Sequence, residues 1–357
     1  MTQENIVSDE RKIGIPGNQN FVPYYTSSSW LDAEDSFYFF SRKPGSTLHS
    51  VYLYHVETDQ AEKCFEIETE ANLLHSVFLF QRGLMVFLDN DSFTAVDLKT
   101  GKKEKKYPFD TRWKFDGCCI SRDERYFCFG SFDGEVKEPT MVHVLDTFAP
   151  EWKEISCSQV DFLANHFQFF PNGEEILFAH EGSTYEIPDR LNVLNWKTGK
   201  ARCIHPHLRD ENGKQIECIG HEQVAGSKVL AVRYPDSQME EFGILIVDPV
   251  TEEWELADQG DYWHSSSNPD GTIFVMDTMW WANSKRKTVN LIDIVLFDAR
   301  KKKRHVLKTF EANPLGDQLY HSHPHTNSAG NRVLYSVRPI GKQVECHLEL
   351  LLLKENF

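Results

Sequence analysis

Short apolar runs alternate with polar turns along the whole chain, and one pattern recurs. It consists of a tight turn followed by an apolar strand: "SRDERYFCFG" from Ser121, "PNGEEILFAH" from Pro171, "AGSKVLAVRY" from Ala225, "NPDGTIFVMD" from Asn268 and "SAGNRVLYSV" from Ser328. Looser copies, "DAEDSFYFFS" and "QRGLMVFLDN", begin at Asp32 and Gln81 and bring the total to seven. Period-two alternation predicts strands, and apolar residues at helical spacing are scarce. The pattern therefore predicts an all-β chain.

A second alternating strand follows each copy and ends in another polar turn, as in "FTAVDLKTGKKEKK" and "LNVLNWKTGKARCI". Such pairs are typical of antiparallel hairpins. Seven units of about 50 residues, each with four strands, predict one domain over residues 1–357, a seven-bladed β-propeller. A large β-sandwich is the alternative. The last unit ends after its third strand at Leu353, so we expect residues around Lys12 to Ile15 to complete that blade.

Histidines recur at one position of this repeat. The inner strand of every blade starts beside the central axis, so equivalent positions in successive blades converge on one cleft. Three histidines precede their turn glycine by seven residues, and one precedes it by five: His166, His264 and His323, and then His221. The Gly-His pair at His221 could instead be structural, like the Gly-His of WD40 repeats. We expect the four side chains to meet at one end of the channel.

The segment "QLYHSHPH" suggests a metal site. Gln318, His321 and His323 can share one face of an extended segment, and His264 from the adjacent blade would complete a neutral ligand set. Imidazole suits several first-row divalent ions, and the amide oxygen shifts the preference toward harder ions such as manganese. Without a carboxylate ligand the ion keeps its double charge and attracts anionic substrates, especially carboxylates. His325 is expected behind the ligands or at the surface.

Charge and cysteine content narrow the partners and the compartment. A formal net charge of -16 argues against nucleic acid and anionic membranes as partners. The eight cysteines contain one close pair, Cys118 and Cys119, which predicts neither a zinc ribbon nor a disulfide framework. Signal-peptide and membrane-spanning patterns are not seen. We expect a cytoplasmic protein with reduced thiols, although a removed signal peptide would leave the same pattern.

Five segments together resemble the oligogalacturonate lyases of polysaccharide lyase family 22. They are "NHFQFFPNGEEILFAHEG", "PDRLNVLN", "IGHEQ", "HSSSNPDGTIFVMD" and "QLYHSHPH", and the resemblance covers residues 160 to 340. The opening "NFVPYY" only loosely resembles the aromatic-rich start of that family. The resemblance implies a seven-bladed propeller that cleaves short pectin-derived uronate oligosaccharides by β-elimination, using a manganese ion.

The resemblance also implies a role for each matched residue. The metal ligands would be His264, Gln318, His321 and His323; the Brønsted base would be His221, with Arg190 as its cationic partner; and His166 and the His180-Glu181-Gly182 stretch would line the substrate groove. Such a base removes the C5 proton of a uronate once the adjacent carboxylate is neutralised. Departure of the C4 oxygen then leaves a 4,5-unsaturated sugar.

Two other functions stay open from the sequence. The chain could be a lyase for a different uronic-acid glycan, or a non-catalytic propeller that serves as a binding or scaffold module. Trp263, Trp280 and Trp281 flank the histidine of the sixth unit. These rings could stack on sugar faces, although aromatic residues in propellers more often pack between blades. The expected partner is an acidic oligosaccharide.

Overall fold

Seven antiparallel sheets make up the computed structural model, which describes residues 5–31, 33, 35–134, 139–184, 186–279, 290–312, 318–342 and 344–354. The inner strands of six sheets contact one another in sequence order, and the sheet formed by residues 19–68 contacts the C-terminal sheet and shares a hydrophobic cluster with the sheet that follows it. The sheets are therefore the blades of a seven-bladed β-propeller, as the repeats predict.

In blades 1 to 6 the strands follow chain order from the inner to the outer edge. The N-terminal strand β1 (Val7–Ile13) is the outer strand of blade 7. Blade 1 contains β2 (Gln19–Phe21), β3 (Trp30–Leu31), β4 (Ser36–Arg42), β5 (Leu48–His55) and β6 (Gln60–Glu68), with β2 and β3 both paired to β4. Blade 2 contains β7 (Val77–Leu79), β8 (Leu84–Asp89), β9 (Ser92–Asp97) and β10 (Lys103–Pro108). Blade 3 contains β11 (Trp113–Ile120), β12 (Tyr126–Asp133), β13 (Thr140–Asp146) and β14 (Lys153–Val160).

Blades 4 to 7 follow the same order. Blade 4 contains β15 (Ala164–Phe169), β16 (Glu175–His180), β17 (Leu191–Asn195) and β18 (Lys200–His205). Blade 5 contains β19 (Ile219–Ala225), β20 (Lys228–Arg233), β21 (Gly243–Val247) and β22 (Trp254–Gln259). Blade 6 contains β23 (Tyr262–Ser267), β24 (Ile273–Thr278), β25 (Leu291–Asp298) and β26 (Lys303–Glu311). Blade 7 contains β27 (His325–Thr326), β28 (Arg332–Val337), β29 (His347–Leu353) and β1.

The N-terminus closes the ring. Strand β1 pairs antiparallel with β29, from Val7 opposite Leu353 to Ile13 opposite Leu348. This confirms the predicted closure, but the strand starts earlier than Lys12 and stops at Ile13. The strand is outermost and mostly solvated, so most of its side chains are polar and give little apolar pattern to read from the sequence.

The hydrophobic core lies between neighbouring blades. On β12, Phe127 and Phe129 pack against Val86 of blade 2, whereas Cys128 packs with Phe178 of blade 4. Middle strands are covered on both faces, which explains their continuous apolar runs. Short 3-10 turns occur at Leu73–His75, Phe80–Arg82 and Gln318–Tyr320. In the described part of the chain, no helix has the length and apolar content to cross a membrane.

Candidate metal centre and active-site channel

The inner strands of blades 4, 5 and 6 each carry their predicted histidine in a β-bulge. The bulge in β15 lies between Asn165 and Gln168, that in β19 between Gly220 and Gln223, and that in β23 between Tyr262 and Ser265. A bulge places two residues opposite one on the partner strand and re-aims a side chain. His166 and His221 are each the first bulged residue of their strand, whereas His264 is the second, so the structural equivalence holds for the first two and His264 is offset by one position within its bulge.

Among the described residues, three of the ten non-glycine residues with a positive φ angle are channel histidines. His166, His221 and His323 adopt φ angles of 55°, 50° and 37°, in the left-handed region that non-glycine residues rarely enter. Each such residue costs on the order of 1–3 kcal/mol and persists only where surrounding contacts hold it. Three strained histidines from three blades at one level therefore indicate a functional region.

Three of the histidines form a compact donor set. Ligand nitrogens of His264, His321 and His323 all lie within 4.8 Å of one another, and the three residues are buried. The ring centroid of His264 lies 4.3 Å from that of His323 and 5.4 Å from that of His321. His264 and His323 lie close together, as the repeat spacing predicts, and His321 joins them from the segment "QLYHSHPH". Their role as metal ligands stays a prediction.

The tautomer of His264 is fixed by Asp277. The ring atom Nδ1 lies 2.8 and 3.0 Å from the two carboxylate oxygens of Asp277, one of which also accepts the backbone N–H of His264 at 2.7 Å. Nδ1 therefore carries the proton, and Nε2 carries the lone pair. A carboxylate behind a histidine is the usual support for a metal ligand. Asp277 is the last residue of the segment "HSSSNPDGTIFVMD", and its support of His264 was not predicted from the sequence.

The donor set fits a divalent cation. Nε2 of His323 is buried and has no hydrogen-bond partner among the residues that the structure describes. A buried nitrogen lone pair is costly unless something binds it. Neutral imidazoles gathered in this way suit a first-row divalent metal.

Gln318 and His325 stand at the edge of this set. The backbone oxygen of Gln318 accepts the N–H of His321 at 3.1 Å, while its exposed side chain lines a cavity of about 230 Å³ beside His166. Coordination by Gln318 stays a prediction. His325 is buried on β27 and hydrogen bonds to the backbone of Pro23, so it lies behind the set rather than at the surface.

His221 lies beside the donor set. Its ring centroid is 4.4 Å from that of His264, and its Nδ1 is 2.5 Å from the hydroxyl of Tyr234. Trp263 packs edge-on against His221 at 4.9 Å and stacks on Tyr234 at 4.8 Å. Burial holds the pKa of His221 well below its ordinary value, and the charge of Arg190 lowers it further. Its imidazole is therefore neutral. Trp280 and Trp281 lie outside the described residues.

Arg190 belongs to a buried network next to His221. Its Nε lies 3.0 Å from a carboxylate oxygen of Glu222, and its Nη1 lies 3.0 Å from Glu181. The other oxygen of Glu222 lies 2.6 Å from Nδ1 of His166. Burial alone would raise the pKa of Glu222, but Arg190 and His166 outweigh it and lower that pKa to about 2. Burial opposes the charge of Arg190, while Glu222 and Glu181 raise its pKa.

The sequence points to no role for Glu222, and it places Glu181 only along the expected substrate groove. Each directly follows a histidine that it did single out, in "IGHEQ" and "AHEG". Nothing in the local spacing of either glutamate indicates its pairing with Arg190.

Two tyrosines from blade 1 enter the channel, which the sequence did not predict. The loop between β2 and β3 interrupts the inner strand and carries Tyr24 and Tyr25. The Tyr25 hydroxyl is 3.0 Å from Nδ1 of His166, and the Tyr24 ring is 4.7 Å from that of His323. Both tyrosines are buried, so they cover the histidines on this side. Their origin in a broken inner strand explains why the repeat pattern was loose there.

His166 and His180 differ in their surroundings. His166 lines the 230 Å³ cavity together with Asp116, which lies in the bulge of β11, and burial raises the pKa of Asp116. His180 stacks on Phe162 at 4.0 Å and places Nδ1 2.7 Å from a carboxylate oxygen of Asp189. These contacts give His180 a structural role, and its contact with substrate stays a prediction.

Comparisons with known proteins agree with the fold. No family model and no curated protein matches this chain by sequence. Its structure is similar to an oligogalacturonate lyase in complex with manganese, with a TM-score of 0.81 and 17% identity over 99% of this chain and 96% of that one. An oligogalacturonate lyase from Vibrio parahaemolyticus gives the same TM-score of 0.81 at 18% identity, with 99% and 96% coverage.

A propeller of the WD40 type is less similar to this chain in structure. The WD40 repeats of RRP9 give a TM-score of 0.54 at 9% identity, covering 99% of this chain and 100% of that one. The two lyase structures therefore confirm the seven-bladed propeller and the resemblance seen in the sequence at the level of the fold.

Proposed function

We propose that this protein is a divalent-metal-dependent lyase that cleaves short uronate oligosaccharides of the oligogalacturonate type by β-elimination. The observation that carries the proposal is the buried His264, His321 and His323 donor set, with the neutral ring of His221 4.4 Å from that of His264. The similar solved structures are oligogalacturonate lyases, one of them in complex with manganese, which supports this substrate class and this ion.

His264, His321 and His323 would hold the metal, with Gln318 as the expected fourth ligand. When bound, a divalent ion supplies Lewis-acid stabilisation of the negative charge that develops on the substrate carboxylate. All these donors are neutral, so the charge of the ion is not cancelled by its ligands. Asp277 holds His264 in the tautomer that this role requires.

His221 is the proposed base for the C5 proton. This role requires that Nδ1–H donate to the Tyr234 oxygen, so that Nε2 keeps the lone pair that accepts the proton. Burial raises the pKa of Tyr234 well above its ordinary value, so Tyr234 stays protonated and serves as an anchor for the ring. General-base catalysis is typically worth about 10²- to 10⁴-fold, so charge stabilisation at the carboxylate must supply much of the remainder.

Arg190 and His166 have supporting roles in this proposal. Arg190 is already paired with Glu222 and Glu181, and its charge helps to keep His221 neutral. His166 faces the 230 Å³ cavity, where it can donate a hydrogen bond to a sugar oxygen or carboxylate. With a net charge of -16, and with Arg190 already paired to two glutamates, the bound divalent ion would have to supply the positive charge for an acidic oligosaccharide. The same net charge disfavours nucleic acid and membranes as partners.

A direct assay tests the proposal. Purified protein with manganese is incubated with di- and trigalacturonate, and the ultraviolet absorbance of the 4,5-unsaturated product is followed. We expect activity that a chelator removes and manganese restores. Matched galactose oligosaccharides should not react, because they lack the carboxylate that acidifies C5.

The same assay separates the alternatives. Activity on another uronate oligosaccharide, but not on galacturonates, would favour the lyase for a different glycan. Inactivity on every uronate, with no bound metal, would contradict the enzyme and favour the binding or scaffold module.

A further inference from the structure

A second group of metal-type side chains lies on the two outer strands of blade 3. It consists of His143 on β13 and of Glu154 and Cys157 on β14. One imidazole nitrogen, one carboxylate oxygen and one thiol sulfur all lie within 4.8 Å of one another. None of the three residues lines the channel cavity beside His166. The group is thus separate from the proposed active site.

The pairing of β13 with β14 puts the three side chains on one face. His143 pairs with Cys157, and Leu145 pairs with Glu154. His143 and Leu145 are two residues apart and therefore face the same way, as do their cross-strand partners. Glu154 and Cys157 are three apart and would face opposite ways in a regular strand, but the bulge between these pairs supplies one extra residue.

Neighbouring residues hold two of the donors in place. The ring of His143 stacks on Phe129 at 4.5 Å with an interplanar angle of 8°, and its Nε2 lies 2.8 Å from the hydroxyl of Ser131. Its Nδ1 lies 2.7 Å from a carboxylate oxygen of Glu154, which also accepts the hydroxyl of Tyr107 at 3.2 Å. Metal ligands in proteins are typically oriented by hydrogen bonds of this kind from residues behind them.

We propose that His143, Glu154 and Cys157 form a zinc-binding site. A thiolate, an imidazole and a carboxylate are the ligand types that zinc takes, with a water molecule in the fourth position. At zinc–ligand distances of about 2.0 to 2.3 Å, tetrahedral donor atoms lie roughly 3 to 4 Å apart, so side-chain rotation suffices to close this site.

The charges and donor softness of the two sites differ. A thiolate and a carboxylate supply two negative charges that balance Zn²⁺, whereas the channel histidines are neutral. The soft sulfur selects zinc over manganese, and the channel set has no sulfur donor. Binding must displace the proton of Cys157, so zinc affinity should rise with pH.

Cobalt provides a spectroscopic test on the wild-type protein. A thiolate bound to Co²⁺ gives a charge-transfer band in the near ultraviolet, and the channel histidines cannot produce one. We expect Co²⁺, titrated to two equivalents so that the channel site is filled as well, to produce the band and Zn²⁺ to remove it. Cys157→Ser should abolish the band, whereas the matched variant Cys64→Ser, on the outer strand β6, should keep it. Ser131→Ala should weaken binding about tenfold, because it removes support from His143.

A second readout needs no variant. Alkylation of Cys157, followed by peptide mapping, should slow about tenfold at a zinc concentration ten times the dissociation constant, because only the free thiol reacts. Cys64 should react at an unchanged rate. Absence of the cobalt band together with unprotected Cys157 would overturn the zinc site and leave an ordinary His143–Glu154 hydrogen bond. A band that survives Cys157→Ser would also overturn it.

Discussion

Two buried networks near β19 share the same chemistry but face different surroundings. In one, Glu217 accepts the Nε–H of Arg233 at 2.6 Å and lies 2.9 Å from Nε2 of His205. In the other, Glu222 accepts the Nε–H of Arg190 at 3.0 Å and lies 2.6 Å from Nδ1 of His166. Each network combines one glutamate, one arginine and one histidine.

Both glutamates are fully buried, and the two networks differ in exposure mainly at the histidine, whose side chain is 3% exposed in His205 and 14% exposed in His166. The side chains of Glu217 and Arg233 are 0% exposed, and the guanidinium of Arg233 lies 4.6 Å from the ring centroid of Trp254. The side chain of His166 faces the cavity in the channel. Glu217 also accepts the backbone N–H of Leu208, which ties the long connection between β18 and β19 to the blade. The sealed network therefore stabilises the fold, and the channel network is available for chemistry.

The largest expected effect lies on the channel side. His221→Ala should lower turnover about 10²- to 10⁴-fold, because it removes the proposed base. Manganese content, substrate affinity and the midpoint of chemical unfolding should stay close to wild type. Steady-state kinetics and metal analysis of the same preparation check this. A variant that loses its metal would instead identify His221 as a ligand.

Disruption of the sealed network around Glu217 should lower the free energy of unfolding. Arg233→Met leaves the carboxylate of Glu217 buried without its arginine and should lower the free energy of unfolding by about 3–5 kcal/mol. Urea denaturation measures this loss, and manganese binding by the folded protein should be unchanged. The double variant Glu217→Gln with Arg233→Met should regain much of the stability. If the single and double variants were equally stable, the pair would not be coupled.

A smaller effect is expected in the pH dependence of the free energy of unfolding, which tests Glu222 of the channel network. The pKa of Glu222 falls from 4.5 to about 2 on folding, so its ionised form stabilises the protein above pH 4.5. That contribution, roughly 3 kcal/mol, should be lost as the pH falls from 4.5 toward 2. Glu222→Gln should flatten the dependence of unfolding free energy on pH in this window. An unchanged slope would show that other groups dominate acid unfolding.

The sequence was sufficient for the fold and for the convergence of histidines because both depend on local repeats. Turn glycines at regular spacing set the start of each β-hairpin, and counting back from them placed His166, His264 and His323 at one level. Closure by the N-terminus was also predictable, since the last unit lacked a strand. Only its bounds were wrong.

Other features depend on pairing across the ring and were not predictable. The left-handed backbone of His166 and His221 arises from bulges, which depend on register with the partner strand. Tyr24 and Tyr25 reach the histidines through a loop that breaks an inner strand, and its sequence gives no sign of where it points. Arg190 pairs with Glu222 across 32 residues, a contact that no local spacing encodes.

Metal analysis tests the central claim most directly. Wild-type protein loaded with manganese and then freed of excess ion by gel filtration should retain a single manganese ion per chain. The variant with both His321→Ala and His323→Ala should stay folded, lose the ion and lose lyase activity, while Cys157→Ser should retain both. A wild-type protein without bound manganese, or a double variant that keeps it, would contradict the assignment of these histidines as the metal centre.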